Sequence, residues 1–143
     1  MSDPRQLAML RGLSEDKRDA AGQRLARAVA MHRASAARLE MLERYRGEYR
    51  VRLCNGSARG VAPGELRNFR EFLERLEQAI GQQRGEVETL ARGVEECRSR
   101  WLAESKREKS FGVLAQRALS AAREREARLA QKQMDEYSAR KTR

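Results

Sequence analysis

This sequence predicts an all-α fold in which two long helices, the second longer than the first, form an antiparallel coiled-coil hairpin. Apolar residues recur in alternating steps of three and four from Leu66 to Trp101, with a polar interruption at Gln83. Such a heptad seam is typical of a helix that packs lengthwise on another helix. Residues 56–62 form the one convincing loop. A composition of 36% charged and 5% aromatic residues favours a fold that buries one narrow stripe over a globule.

The first helix is expected to begin next to Asp3, which can cap free backbone N–H groups, and Pro4, which suits the first helical position. Its expected end is Asn55-Gly56, because glycine can adopt the left-handed conformation that closes a helix. Pro63 opens the second helix. The predicted organisation is a single coiled-coil domain over residues 1–143, with helix 1 at about 4–55, a loop at about 56–62 and helix 2 at about 63–138.

Folding the chain back about Arg59 brings the apolar rows of the two helices into step. Tyr49 then falls opposite Phe69, and Ser35 falls opposite Gln83 as a polar layer that would fix the register. The same fold point pairs Leu42 with Leu76, Leu39 with Ile80, Ala28 with Leu90, Ala21 with Cys97 and Leu7 with Phe111. It also places Arg18 against Trp101, where a cation–π contact is expected.

The second helix is longer than the first, so residues from about Gly112 onward are expected to lack a partner within the chain. This overhang carries eight basic and four acidic residues and a thin stripe that includes Ala122 and Leu129. An isolated helix of this kind is marginal in water. We therefore expect the overhang to bind another molecule or to fray.

The residues do not form a recognisable catalytic, cofactor or metal site. His32 is the single histidine and has no acid or thiol partner at helical spacing, and Cys54 and Cys97 do not form a metal motif. No phosphate-binding glycine loop follows a strand. We therefore expect a protein that is not an enzyme and has no cofactor.

The net charge of +10 predicts attraction to an acidic partner such as nucleic acid, an anionic membrane surface or an acidic protein. Basic and acidic residues alternate along the chain, which also suits an ordinary solvated helix surface. Neither an apolar signal core nor a run of ~20 apolar residues is present. A cytoplasmic location is therefore expected.

An apolar and aromatic strip flanks the predicted core close to the loop. Tyr45 and Phe72 stand one step outside the core rows, and the register makes them face each other. The strip comprises Leu42, Tyr45, Tyr49, Phe72, Leu76 and Ala79. It either seals the core or forms a partner-binding patch, since exposed apolar surface with tyrosines often marks an interface.

Three segments, 42–50, 68–80 and 131–136, together with Trp101 closely resemble the FliJ family of the bacterial flagellar type III export apparatus. They contain the patterns Tyr-x-x-x-Tyr and Phe-x-x-x-Leu-x-x-Ala-Ile, and an Asp-Glu pair near the chain end. The resemblance covers nearly the whole chain.

The resemblance implies a non-enzymatic coiled-coil shaft, similar to that of rotary ATP synthases, at the centre of the export ATPase hexamer. It also implies coupling to the membrane export gate, contact with the ATPase regulator and export chaperones, and a peripheral position at the cytoplasmic membrane. The family's gate-binding residues match Leu42, Tyr45, Tyr49, Phe72, Leu76 and Ala79, and the expected ATPase end carries Leu7, Leu10, Phe111 and Leu129. Arg38 and Gln83 stand where other members can carry glutamine and histidine.

Two alternatives share parts of this pattern. The equivalent stalk protein of a virulence injectisome would have the same architecture. A basic coiled coil that binds nucleic acid would use the positive charge, although the interspersed acids and the lack of aromatics in the basic tail allow only unspecific attraction.

Overall fold

The structure, a computed structural model, describes residues 3–60 and 62–142, apart from the side chain of Ser57. Helix α1 spans Pro4–Ala58 and helix α2 spans Pro63–Lys141, and the two pack against each other. This confirms the predicted helical hairpin. Val61 of the predicted loop lies outside the described residues. Over the part of the chain that is described, neither helix holds a stretch long and apolar enough to span a bilayer.

The two ends of α1 are capped in different ways. At the start, Asp3 Oδ1 accepts a hydrogen bond from the backbone N–H of Arg5 at 3.1 Å, which satisfies a free donor of the first turn. At the other end, α1 continues beyond Asn55-Gly56 to Ala58. Gly60 has a φ of +75°, so the left-handed glycine that closes the helix is Gly60 and not, as predicted, Gly56.

Helix α2 begins at the second proline, Pro63, and ends at Lys141. The Ala62 carbonyl accepts hydrogen bonds from the N–H groups of Glu65 and Leu66 at 3.0 and 3.2 Å. Glu65 lies in the first turn, and Arg140 and Lys141 lie in the last. Both placements favour the helix, because the helix dipole attracts acids to the start and bases to the end.

The contacts divide the chain into two compact units, and unit 2 comprises Gln23–Ser99. Its most buried apolar residues, Leu76, Ile80 and Val94, belong to the α2 seam. Gln83 Nε2 donates hydrogen bonds to Ser35 Oγ at 2.7 Å and to the Ser35 carbonyl at 3.0 Å. The predicted polar layer is therefore confirmed in unit 2.

Unit 1 comprises the residues up to Gly22 together with those from Arg100 onward. Its core contains Leu7, Ala21 and Ala115, and it also buries Ser14 and Glu108. The core is made largely of small and polar residues, because the apolar row of α1 is weak in this part of the sequence.

The predicted contact between Arg18 and Trp101 is wrong. A Cβ added to Gly22 would lie 3.3 Å from Trp101 Nε1, so the indole lies against Gly22. Arg18 instead pairs with Glu108 at 3.2 Å, and its hydrogen bond to Asp19 raises the pKa of Arg18 above its ordinary value. Side chains on a helix lean toward its own N-terminus. In this antiparallel pair, Trp101 therefore lies against Gly22, one turn beyond Arg18, and Arg18 reaches Glu108, which follows Trp101 on α2.

Candidate partner-binding surfaces

The aromatic residues near the loop form a cluster centred on Tyr49. Its ring centroid lies 4.5 Å from that of Phe72 and 6.3 Å from that of Phe69. The predicted pairing of Tyr45 with Phe72 is therefore replaced by a pairing of Tyr49 with Phe72. Tyr45 leans away from the loop and Phe72 leans toward it, since each follows the N-terminal direction of its own helix.

The six strip residues differ widely in exposure. Tyr45 is 48% exposed and Phe72 is 42% exposed, whereas Leu76 is 8% exposed and belongs to the core. The remaining three, Leu42, Tyr49 and Ala79, are half-buried. The accessible surface of the strip is therefore centred on Tyr45 and Phe72, and Leu76 supports it from below.

A shallow groove of about 290 Å³ lies beside Phe72 and is lined by Tyr49, Glu65, Asn68, Phe69 and Phe72. Arg52 lies over the Tyr49 ring, 5.4 Å from its centroid. The contributions of Glu65, Asn68 and Arg52 to this surface were missed by the sequence reasoning. A signal for Asn68 and Glu65 was present, because they precede Phe72 by four and seven residues and share its side of α2.

The opposite flank of unit 2 is covered by ion pairs between the helices. Glu77 binds Arg50 at 2.6 Å and Arg46 at 3.2 Å, and Arg84 binds Glu43 at 3.2 Å. The aromatic flank has no interhelical ion pair among the described residues. One flank is thus charged and the other offers apolar and aromatic surface.

The end of α2 forms a second surface, because every residue from 123 to 142 is exposed. Leu129 is 61%, Met134 67% and Tyr137 65% exposed. Leu129 lies in a groove of about 330 Å³ that it shares with Arg125, Arg128 and Lys132. Met134 and Tyr137 line another of about 330 Å³ with Ala130. Sequence reasoning missed this second patch, although its spacing of three and four residues signals one helix face.

The other residues expected at the ATPase end have different environments. Leu10 is 42% exposed, whereas Leu7 is 7% exposed and belongs to the core of unit 1. Phe111 is half-buried. Of these three residues, Leu10 therefore offers most surface to a partner.

Neither surface brings together groups suited to catalysis. Among the described residues, no cluster of three or more His, Cys, Asp or Glu side chains could hold a metal ion. Cys54 and Cys97 are free thiols. Both surfaces expose large apolar and aromatic side chains among charged and polar ones, which suits protein binding.

Comparison with known proteins gives the family. The family model described as the flagellar FliJ protein matches residues 2–143. The chain belongs to the FliJ family. It is 29% identical to the flagellar FliJ protein of Escherichia coli K12 over 140 residues, which is 98% of this chain and 95% of that protein. It is 30% identical to the flagellar FliJ protein of Salmonella typhi over 134 residues, or 94% and 91% of the two chains.

Membership of the FliJ family makes this chain a component of flagellar protein export. The match includes both helices, the aromatic strip and the exposed end of α2. The resemblance found in the sequence is therefore confirmed, and the flagellar interpretation is supported over the injectisome stalk.

Proposed function

We propose that this protein is a non-enzymatic coupling shaft of the flagellar export apparatus. The exposed end of α2 enters the centre of the export ATPase hexamer, and the strip around Tyr45 and Phe72 binds the membrane export gate. The protein also contacts the ATPase regulator and assists export chaperones. It acts in the cytoplasm, at the inner membrane of the flagellar basal body, and is held there by its partners.

The observation that carries this proposal is the exposure of α2 from residue 123 to residue 142. A helix this exposed gains little stability from its own chain. This stretch nevertheless exposes three large side chains, those of Leu129, Met134 and Tyr137. Exposed apolar surface lowers solubility, and a binding partner would cover it. A ring that surrounds the helix can contact Leu129 and Met134 together, although they point about 140° apart around the helix axis.

The gate assignment is supported by the contrast between the two flanks of unit 2. Ion pairs to Glu77 and Arg84 cover one flank, and Tyr45 and Phe72 remain exposed on the other. Exposed aromatic side chains commonly carry most of the binding energy at interfaces.

The ATPase contact is tested by the triple variant Leu129→Ala, Met134→Ala and Tyr137→Ala. We expect its affinity for the purified export ATPase hexamer to fall at least tenfold, measured by surface binding or analytical ultracentrifugation. Helix content should not fall, because all three side chains are exposed and alanine has the highest helix propensity. The matched control is Val51→Ala with Leu102→Ala, which removes exposed apolar groups elsewhere and should leave the affinity unchanged. Equal affinity of the triple variant and the wild type would refute the contact.

The gate contact is tested separately with the double variant Tyr45→Ala and Phe72→Ala. We expect at least tenfold weaker binding to the cytoplasmic part of the export gate and unchanged binding to the ATPase. The corresponding control is Val51→Ala with Leu102→Ala. If the double variant bound the gate with full affinity, the strip would not be the gate contact. The proposed contact of α2 with the ATPase would be unaffected.

A further inference from the structure

The first part of α1 packs on α2 with its smaller and more polar side chains. We call residues 4–22, the part of α1 that belongs to unit 1, the strap. Its buried residues are spaced by seven and are Leu7, Ser14 and Ala21. Its other large apolar side chains are exposed, namely those of Met9, Leu10 and Leu13. A helix in a stable pair turns its large apolar residues toward its partner, so the strap is weakly held.

The part of α2 that faces the strap adds little apolar contact. Glu108 is buried and pairs with Arg18 at 3.2 Å and with Arg11 at 3.9 Å. Removing such charges from water opposes most of the stabilisation that their pairing gives. Ser105 Oγ and Glu104 Oε2 are buried without a hydrogen-bond partner. An open state in which water reaches these two atoms is therefore favoured relative to a closed state with a satisfied core.

The strap is also set apart from the rest of α1 by its glycines. Gly12 lies in its middle and Gly22 at its end, and glycine is among the least favourable residues in a helix interior. No atom lies within 4 Å of a Cβ added to Gly12, so no close contact with α2 compensates for this glycine. In unit 2, by contrast, the hydrogen bonds between Ser35 and Gln83 hold α1 in register. The strap can therefore open locally while unit 2 remains paired.

The α2 seam beneath the strap continues into the exposed end of the helix. Phe111 and Leu129 are 18 residues apart, which is five full turns, so they lie on one line. Along the same line Ala115 is buried and Ala118 and Ala122 are half-buried, whereas every residue from 123 to 142 is exposed. The groove beside Leu129 thus continues the seam at the point where the cover of α1 stops. A partner that binds this groove competes with the strap for the rest of the seam.

We propose that the strap is an autoinhibitory segment of unit 1. It opens from α2 as one piece while unit 2 stays paired, and its release gives a partner the α2 seam from Phe111 to Ala122. The identity of that partner as the export ATPase rests on the proposed function, whereas the opening does not. Because the partner binds this part of the seam only in the open fraction of molecules, the closed strap slows its association.

The opening is tested on the full chain without a partner, by hydrogen–deuterium exchange and mass spectrometry. We expect the amides of residues 5–20 to exchange at least a hundredfold faster than those of residues 27–45, with uniform protection along the strap. The variant Glu104→Leu with Ser105→Ala removes both unpaired atoms and should slow exchange of the strap at least tenfold. The matched control is Glu88→Leu with Ser99→Ala, which makes the same changes at exposed positions of unit 2. It should alter exchange of the strap less than twofold.

The release is tested by adding the purified export ATPase hexamer. Amides of the strap should exchange faster in the complex, and those of residues 107–122 should exchange more slowly. The variant Glu104→Leu with Ser105→Ala should associate with the hexamer at least threefold more slowly than the wild type, and the control variant should match the wild type. If the wild type did not bind the hexamer, the proposed function would fail, and exchange in the free chain would still decide whether the strap opens.

Four results would overturn the proposal. Protection that falls gradually toward Pro4 would indicate ordinary fraying of a helix end. Equal exchange of the strap in the Glu104 and Ser105 variant and in its control would show that the unpaired atoms do not promote opening. Strap amides that become protected in the complex would show that the strap stays paired inside the ring. Protection of the strap that rises with protein concentration would assign the seam to a second copy of the chain.

Discussion

The two units of the hairpin both bury polar side chains, but they satisfy them differently. In unit 2, Gln83 donates two hydrogen bonds to Ser35, at 2.7 and 3.0 Å. In unit 1, Glu108 pairs with Arg18 at 3.2 Å, yet Ser105 Oγ and Glu104 Oε2 are buried without a hydrogen-bond partner. The polar layer of unit 2 is complete, whereas that of unit 1 is not.

A buried polar layer can fix the register of the two helices, and it can also destabilise their packing. A paired layer disfavours other registers, because any slip leaves its donor and acceptor unpaired. A buried group without a partner destabilises the fold by about 1 to 3 kcal/mol. We infer that Ser35 and Gln83 fix the alignment of the helices, while Ser105 and Glu104 weaken the packing of their unit. Substitutions at the two places should therefore have opposite effects.

The largest effect is expected at Gln83. Replacing Gln83 with alanine removes both hydrogen bonds and leaves the buried Ser35 hydroxyl to find a partner within its own helix. The free energy of unfolding should fall by about 1 to 2 kcal/mol, measured by urea denaturation. The double variant Ser35→Ala with Gln83→Leu should recover most of this loss, because neither polar group then remains unpaired. If the double variant were as unstable as the single one, the hydrogen bonds would not be the source of the effect.

A smaller effect of opposite sign is expected for two serine substitutions. Ser35→Ala should lower the free energy of unfolding because Ser35 Oγ loses its bond to Gln83. Ser105→Ala should raise it because the buried hydroxyl has no partner to lose. Both substitutions gain the same helix propensity. The difference between their free energies of unfolding, about 1 to 2 kcal/mol, therefore measures the contribution of the hydrogen bond to Ser35. A change of the same sign and size at both sites would show that the two layers are equivalent.

The sequence predicted the axial alignment of the helices better than the contacts on their flanks. The pairs Ser35 with Gln83 and Tyr49 with Phe69 follow from heptad spacing, because seam residues point straight at the partner helix. Flank contacts depend in addition on the direction in which a long side chain leans. That is why Phe72 reaches Tyr49 instead of Tyr45.

The closing glycine and the exposed patches were missed for other reasons. Gly56 and Gly60 are both able to adopt a left-handed conformation, and the choice depends on where the chain turns back. Met134 and Tyr137 lie outside the core rows, so a search along the seam passes over them. The exposure of each strip residue depends on the packing of the two helices, which residue type does not show. Leu76 and Phe72 are both apolar, but only Leu76 is buried.

The smallest effect concerns two glycines of α1, one in each unit. Gly47 in unit 2 borders open space, so Gly47→Ala should raise the free energy of unfolding by about 1 kcal/mol through helix propensity. At Gly22 in unit 1, the new Cβ would lie 3.3 Å from Trp101 Nε1, closer than an ordinary van der Waals contact. The indole must then shift, and we expect Gly22→Ala to be less stabilising than Gly47→Ala by about 1 kcal/mol. The fluorescence of Trp101, the single tryptophan of the chain, reports this shift directly. Equal stabilisation by the two substitutions, with unchanged emission, would mean that Trp101 does not depend on close contact with Gly22.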